Sequence, residues 1–350
     1  MLSQLKEIRA NLISWYPFKE NDKILEISCF EEKIVDNKNI VISNDLQNVP
    51  TETLFDYILL EGVLENSNEI FKMEPEELIQ KVKTNLKKDG KLLIATDNKI
   101  GIYNLCSEQK KDRTRLLGKK NIEKILDNQG LVNRKFYYPL PNYITPNVIF
   151  TDEHLPDFET INRNLTFYDD NTIMVLNETN RFRKIIEEDE EQFKNLANSF
   201  FIECSTQKIE ENNIKFVAFS NMRKPEYRIK TVLQGDRVYK YNAEIDSKSH
   251  IKNIKNNIKI MKESNIHTVD SFDDSRIISE YQKNVETYDE IILKEIKKGN
   301  IEEVIELIDR FKKNLIENME KSESDNSVFE KYNIECEQKD LENFNFVKYG

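Results

Sequence analysis

Residues 23–43 read KILEISCFEEKIVDNKNIVIS. Two apolar runs, KILEIS (23–28) and NIVIS (39–43), have the continuous hydrophobic character of strands covered on both faces. A parallel crossover takes a dozen or more residues, usually including a helix, and roughly ten are present here. A sheet shortened at this point is therefore expected. The segment contains no glycine, and Cys29, Phe30, Glu31 and Glu32 follow the first run directly.

Moving outward, FDYILLEGVL (55–64) and KLLIATDN (91–98) repeat the buried-strand pattern. Between them PEELIQKVKTNLKKDG (75–90) reads as a helix opened by Pro75 and stopped by Gly90. Upstream, Leu5, Ile8, Leu12 and Trp15 share one face of a predicted helix over 3–15. Downstream, KKNIEKILDNQGL (119–131) is a further helix, and NRKFYYPLPNY and NVIFTDEHLP are extended segments suited to an antiparallel edge. Alternating strands and helices specify an α/β fold with a largely parallel sheet. From residue 198 the pattern changes to short strands: SFFIECSTQ, IKFVAFSN, YRIKTVLQ and DRVYKYNAE, with Gly235-Asp236 at a hairpin turn. A helix over 246–263, a strand at RIISEYQKN and two helices around Gly299-Asn300 complete the reading.

The 350 residues carry a net charge of −11, which argues against a partner with a phosphate backbone. Aromatic residues make up 10%, enough for real cores. Cys29, Cys106, Cys204 and Cys336 are isolated and expected as reduced thiols, with no metal site. No run reaches the ~18 apolar residues of a membrane span, and a cytoplasmic protein is expected. His154, His250 and His267 are scattered, and no Walker loop is present.

The segments SWYPFKENDKILEIS, FDYILLEGVLEN, LKKDGKLLIATDNKIGIYNL and KFYYPLPNYITPNVIFTDEHLP, in this order, resemble class I S-adenosylmethionine-dependent methyltransferases of bacterial cell-surface polysaccharide clusters. The resemblance implies a Rossmann-like sheet and a methyltransferase-like domain over 1–197. It also implies S-adenosylmethionine as cofactor and a sugar or sugar-phosphate acceptor. The family's first strand leads into an acidic residue and a loop of pattern ExGxGxG. Glu26 holds the acidic position, while Ser28, Phe30 and Glu32 stand where glycines belong. Glu26, Ser28 and Asp45 are the residues the resemblance places at the cofactor. Glu61 and Asn98, at the carboxyl ends of expected parallel strands, are the catalytic candidates, with Glu65 and Asp97 nearby. Solvated loop carboxylates and an ordinary turn aspartate are the plainer readings of the same residues.

Residues 214–318 resemble the smaller lobe and hinge of aminoglycoside/choline kinase-like proteins, which makes 198–350 an incomplete kinase-like domain of α+β type. Lys240 in DRVYKYNAE is its nucleotide-binding candidate, and a plain strand lysine is the alternative. No catalytic or metal-binding aspartate motif accompanies it, so ATP is not expected in this chain alone. Two functions follow. One is a methyltransferase-family protein of surface-glycan biosynthesis that transfers a methyl group to a sugar or sugar phosphate. The other is a catalytically inactive relative that serves as scaffold or binding subunit among glycan-assembly proteins.

Overall fold

A computed structural model of the chain describes residues 2–36, 40–42, 53–108, 115–157, 160–161, 173–210, 212–243, 246–263, 270–273, 275–282 and 285–319. Asp45, Cys336 and His267 lie outside the described residues. The strands are β1 (Ile24–Ser28), β2 (Ile40–Ile42), β3 (Phe55–Glu61), β4 (Leu86–Asp97), β5 (Ser107–Glu108), β6 (Asn133–Leu140), β7 (Val148–Thr151), β8 (Ile173–Met174), β9 (Ser199–Ser205), β10 (Ile214–Phe219), β11 (Ile229–Gln234), β12 (Arg237–Asn242), β13 (Asp270–Phe272) and β14 (Ile277–Glu280). The helices are α1 (Leu2–Ala10), α2 (Ser67–Phe71), α3 (Pro75–Lys83), α4 (Ile102–Cys106), α5 (Lys119–Asn128), α6 (Glu178–Asp189), α7 (Phe193–Leu196), α8 (Lys248–Glu263), α9 (Tyr288–Lys298) and α10 (Ile301–Met319).

Among the described residues one 12-stranded sheet runs in the order β13-β14-β12-β11-β10-β7-β6-β9-β4-β3-β1-β2. Strands β2, β1, β3 and β4 are mutually parallel and form the Rossmann-like core. Every pairing from β4 onward is antiparallel. Strand order reverses at β1, which has β2 on one side and β3 on the other. In open α/β sheets such a switch point is where the carboxyl ends of the strands leave a crevice.

The short connection after β1 still makes a parallel crossover, which the spacing argued against. No helix forms over residues 29–36, yet β2 pairs parallel to β1 with Ile24 opposite Ile40. Ile34 and Val35 tuck inward with Trp15, Tyr16 and Leu93 in a buried cluster on one face of the sheet. Helices cover the opposite face: Leu78, Ile79 and Val82 of α3, Ile122 and Leu126 of α5, and Phe182 of α6 pack on Leu25, Ile58, Leu60, Leu92 and Ile94.

Several expectations are corrected. The first helix ends at Ala10, and residues 11–16 continue as turns that lay Trp15 against Tyr137, with ring centroids 4.9 Å apart. The helix expected over 75–90 ends at Lys83, and residues 86–90 already belong to β4. Strands β6 and β7 do not form an edge, because β9 flanks β6 and β10 flanks β7. The expected division at 197/198 falls just before β9, which is hydrogen-bonded between β4 and β6 in the middle of the sheet. The strands read as a separate smaller lobe, β10 to β14, extend that same sheet. The compact units of the structure are Met1–Lys255 with Asp270–Tyr281, and Asn256–Val269 with Gln282–Gly350. No described helix is long and apolar enough to cross a membrane.

Candidate functional site

The parallel register sets Ser28 of β1 beside Glu61 of β3, and Glu61 beside Ala95 of β4. Glu61 therefore ends its strand at the switch point, where the sequence placed it, and it is 0% exposed. Ser28 Oγ donates to Glu61 Oε2 at 2.7 Å and accepts the Phe30 N–H at 3.0 Å. On the other side stands Arg9, the penultimate residue of α1, itself only 5% exposed. Its Nε lies 3.1 Å from Glu61 Oε1, without the alignment of a hydrogen bond. The same guanidinium lies 4.3 Å from the centre of the Phe30 ring and donates to the Glu32 carbonyl. Burial raises the Glu61 carboxyl to about 7, against the opposing pull of Arg9 and the Ser28 hydroxyl.

Glu26 is equally committed. It is 1% exposed, and its Oε1 and Oε2 accept the backbone N–H groups of Ile34 at 2.9 Å and Val35 at 3.1 Å. The residue at the acidic position thus holds the crossover down on the sheet. Burial pushes its carboxyl upward despite these two bonds.

Gly62, with φ +65°, carries the chain off β3. A Cβ there would lie 2.6 Å from Cys29 Sγ and 2.7 Å from the Tyr143 hydroxyl. Desolvation, followed by the charges of Glu65 and Glu61, pushes the Cys29 thiol up to about 12. Glu65 accepts Thr96 Oγ1 at 2.8 Å, the Asp97 N–H at 3.2 Å and the Tyr143 hydroxyl at 3.3 Å. Its carboxyl is raised by burial.

Asn98 stands one residue beyond β4, fully buried. Its Nδ2 donates to the carbonyls of Asn195 at 2.8 Å and Ala197 at 2.7 Å, and its Oδ1 accepts the Ile100 N–H at 3.2 Å. The first two bonds tie the end of β4 to the chain entering β9, and the third closes a local turn. Lys240 is half-buried on β12, opposite Thr231 of β11 and Ile277 of β14. Seven strand spacings separate β12 from β3, which at ~4.8 Å per strand puts Lys240 roughly 30 Å from Glu61. The structure thus brings Glu26, Ser28 and Glu61 together, keeps Asn98 at the neighbouring strand end and leaves Lys240 remote. Arg9 went unread in the sequence: its only signal was a place on an amphipathic helix. Among the described residues no cluster of three or more His, Cys, Asp or Glu could hold a metal.

The described part of the loop after β1 does not offer S-adenosylmethionine a glycine turn. A dinucleotide-type crevice needs a glycine turn that lets backbone approach the ligand, and a free carboxylate for the ribose hydroxyls. Here Phe30 sits under Arg9, both Glu26 oxygens hold the crossover, and Glu61 faces a guanidinium.

No family model matches the sequence. A search of curated proteins finds no relative. Among solved structures, the chain is similar to an S-adenosylmethionine-dependent methyltransferase of Thermotoga maritima, described as a possible histamine N-methyltransferase. Identity is 12%, with 59% of this chain and 89% of that chain covered and a TM-score of 0.32. It is also similar to the plantazolicin methyltransferase in complex with SAH, at 12% identity over 59% and 84% with a TM-score of 0.30. A third likeness is to phosphoethanolamine N-methyltransferase 2 of Haemonchus contortus, at 13% identity over 59% and 53% with a TM-score of 0.29.

Proposed function

We propose that this chain is a methyltransferase-like protein of bacterial surface-glycan assembly that acts as a binding or scaffold subunit and does not transfer methyl groups. The observation that carries the reading is the Arg9–Glu61 contact. It seats the protein's own cation at the switch point where a cofactor would lie. Glu26 supports it, because each carboxylate oxygen of the first strand's acidic residue already accepts a backbone N–H. With the crevice filled from within, what remains is a rigid α/β frame with exposed surfaces. Glycan-assembly proteins, or a glycan or sugar phosphate, are the partners that the sequence resemblance suggests. Lys240 and ATP enter no step of this reading.

The test is ligand-dependent stability of the full chain. A ligand that binds the native state raises its stability by RT ln(1 + [L]/Kd). Millimolar S-adenosylmethionine and S-adenosylhomocysteine are expected to leave Tm unchanged. A saturable rise of several degrees with a micromolar midpoint would overturn the reading and restore methyl transfer, with Glu61 as the candidate base.

A further inference from the structure

Arg9 reaches the switch point from α1, and the groups around it form a box for a planar cation. The Phe30 ring centre lies 4.3 Å from the guanidinium carbon, the Glu32 carbonyl accepts from Nη2, and the Glu61 carboxylate faces Nε at 3.1 Å. An aromatic ring with two oxygens close to the nitrogens is a recognition set for a guanidinium, which both stacks and donates. The tethered cation fills this box imperfectly. Among the described residues neither Arg9 Nε nor Glu61 Oε1 has a hydrogen bond, although both atoms are buried and Glu61 is 0% exposed. A buried charged acceptor without a donor is a cost that a better-aligned cation removes.

Over residues 6–10, α1 rests on that cation. Arg9 is buried there, Ile8 and Ala10 are half-buried, and Lys6 and Glu7 are exposed. A further ion pair, Glu7 with Arg228 at 3.4 Å, is open to solvent on the Glu7 side. The approach to the box is exposed and acidic. Cys29, Glu31 and Glu32 are exposed, and Glu31, Glu32 and Asp36 outnumber Lys33 along the connection after β1, which draws cations. We infer that the box is a binding site for a small guanidinium-bearing molecule, with Arg9 as a tethered competitor that leaves when α1 lifts. The inference rests on the proposed function, in which Arg9 fills the crevice.

Calorimetric titration of the full chain with agmatine, and with putrescine as a dication lacking the guanidinium, tests it. Arg9→Ala should bind agmatine at least tenfold tighter than putrescine. It should also bind agmatine at least tenfold tighter than wild type, whose competent state is populated only while α1 is off. Adding Glu61→Gln to Arg9→Ala should weaken agmatine at least tenfold. Arg9→Lys keeps the charge but loses the flat stack, and should likewise bind agmatine tighter than wild type, so the test survives if Arg9→Ala does not fold. In wild type, agmatine should speed hydrogen exchange at the Ile8, Arg9 and Ala10 amides. Equal affinity for agmatine and putrescine in the variants would overturn the inference. So would binding indifferent to Glu61→Gln, or wild-type α1 exchange that agmatine leaves unmoved. A parallel titration with S-adenosylmethionine separates the two readings: binding of that ligand sinks the proposed function, whereas silence towards both ligands sinks the guanidinium site alone.

Discussion

Arg9 and Glu61 form a buried ion pair, 3.1 Å between Nε and Oε1, that joins the first helix to the end of the third strand. Neither group reaches water; the Ser28 hydroxyl also supports Glu61, and the Glu32 carbonyl and Phe30 ring also support Arg9. Deleting one member of such a pair strands a charge in a low-dielectric setting and typically costs 3–5 kcal/mol. Above pH 7, where Glu61 is ionised, Arg9→Met is therefore expected to destabilise the protein by about 3–5 kcal/mol. Combining it with Glu61→Leu should recover most of that loss, because no charge is then left behind. Urea denaturation of the two single variants and the double variant checks this. A loss for Arg9→Met under 1 kcal/mol would show that the pair is not formed in solution.

Burial of the same carboxyl makes stability depend on pH, against the opposing pull of Arg9. The Glu61 carboxyl titrates near 7 in the folded chain against an ordinary 4.5. Because the folded value is raised, its contribution is complete below about 4.5 and falls as pH rises towards 7. Over that interval the unfolded chain ionises freely and the folded chain holds its proton. A shift of this size corresponds to about 3 kcal/mol. Wild type should lose about this much stability relative to Glu61→Gln between pH 4.5 and 7, with no further divergence above. Urea titrations of both proteins across pH 4.5–8 measure it, and parallel curves would refute the assignment.

The core strands were legible because strands buried on both faces leave uninterrupted apolar runs, as in residues 57–60 and 92–95. The hairpin at Gly235-Asp236 was legible from turn chemistry alone, and Gln234 does face Arg237 across it. Glu61 was singled out because strand ends are where such sheets present ligating groups. Its partner was not, since nothing local distinguishes Arg9 from any helical arginine. Pairing over long sequence distances was also invisible. SFFIECS reads equally well as the first strand of a new domain or as the strand that closes the old sheet, and only the contacts of Phe201 and Ile202 decide between them. The missing glycines after β1 were visible from composition, but where Glu26 would turn instead was not.

Gly62 is held by two constraints. Its φ of +65° disfavours any side chain, and an added Cβ would press on Cys29 Sγ and the Tyr143 hydroxyl. Left-handed backbone costs a non-glycine residue roughly 1–2 kcal/mol, and overpacking adds about 1–3 kcal/mol. Gly62→Ala should therefore cost at least about 2 kcal/mol. Cys29→Ala removes the sulfur and should recover part of the loss in the double variant. Additive effects in thermal denaturation would show that the thiol does not pack there.

Asn98 offers a direct contrast between a structural and a chemical role. Its amide donates to two main-chain carbonyls and accepts one N–H, all within the protein. Asn98→Asp turns the donor into an acceptor facing the Asn195 and Ala197 oxygens. The Asp variant should be destabilised by about 3 kcal/mol or more, and Asn98→Ala by about 2 kcal/mol. A residue kept for catalysis would show neither loss. Chemical denaturation curves for the pair distinguish the two roles.

Glu26 supplies the sharpest local readout, because its two bonds end on identified amides. Glu26→Ala leaves the N–H groups of Ile34 and Val35 buried without acceptors, at about 1–3 kcal/mol each. Glu26→Gln keeps one oxygen acceptor and turns an amide donor towards the other N–H, so its cost should be intermediate. The crossover is pinned at these two points, so exchange at the Ile34 and Val35 amides should accelerate at least tenfold in the alanine variant. Exchange within β3 should change only as far as global stability falls. Hydrogen exchange resolved by residue measures both. Unchanged protection at Ile34 and Val35 in Glu26→Ala would mean that the carboxylate does not hold the crossover and stands available to a ligand after all.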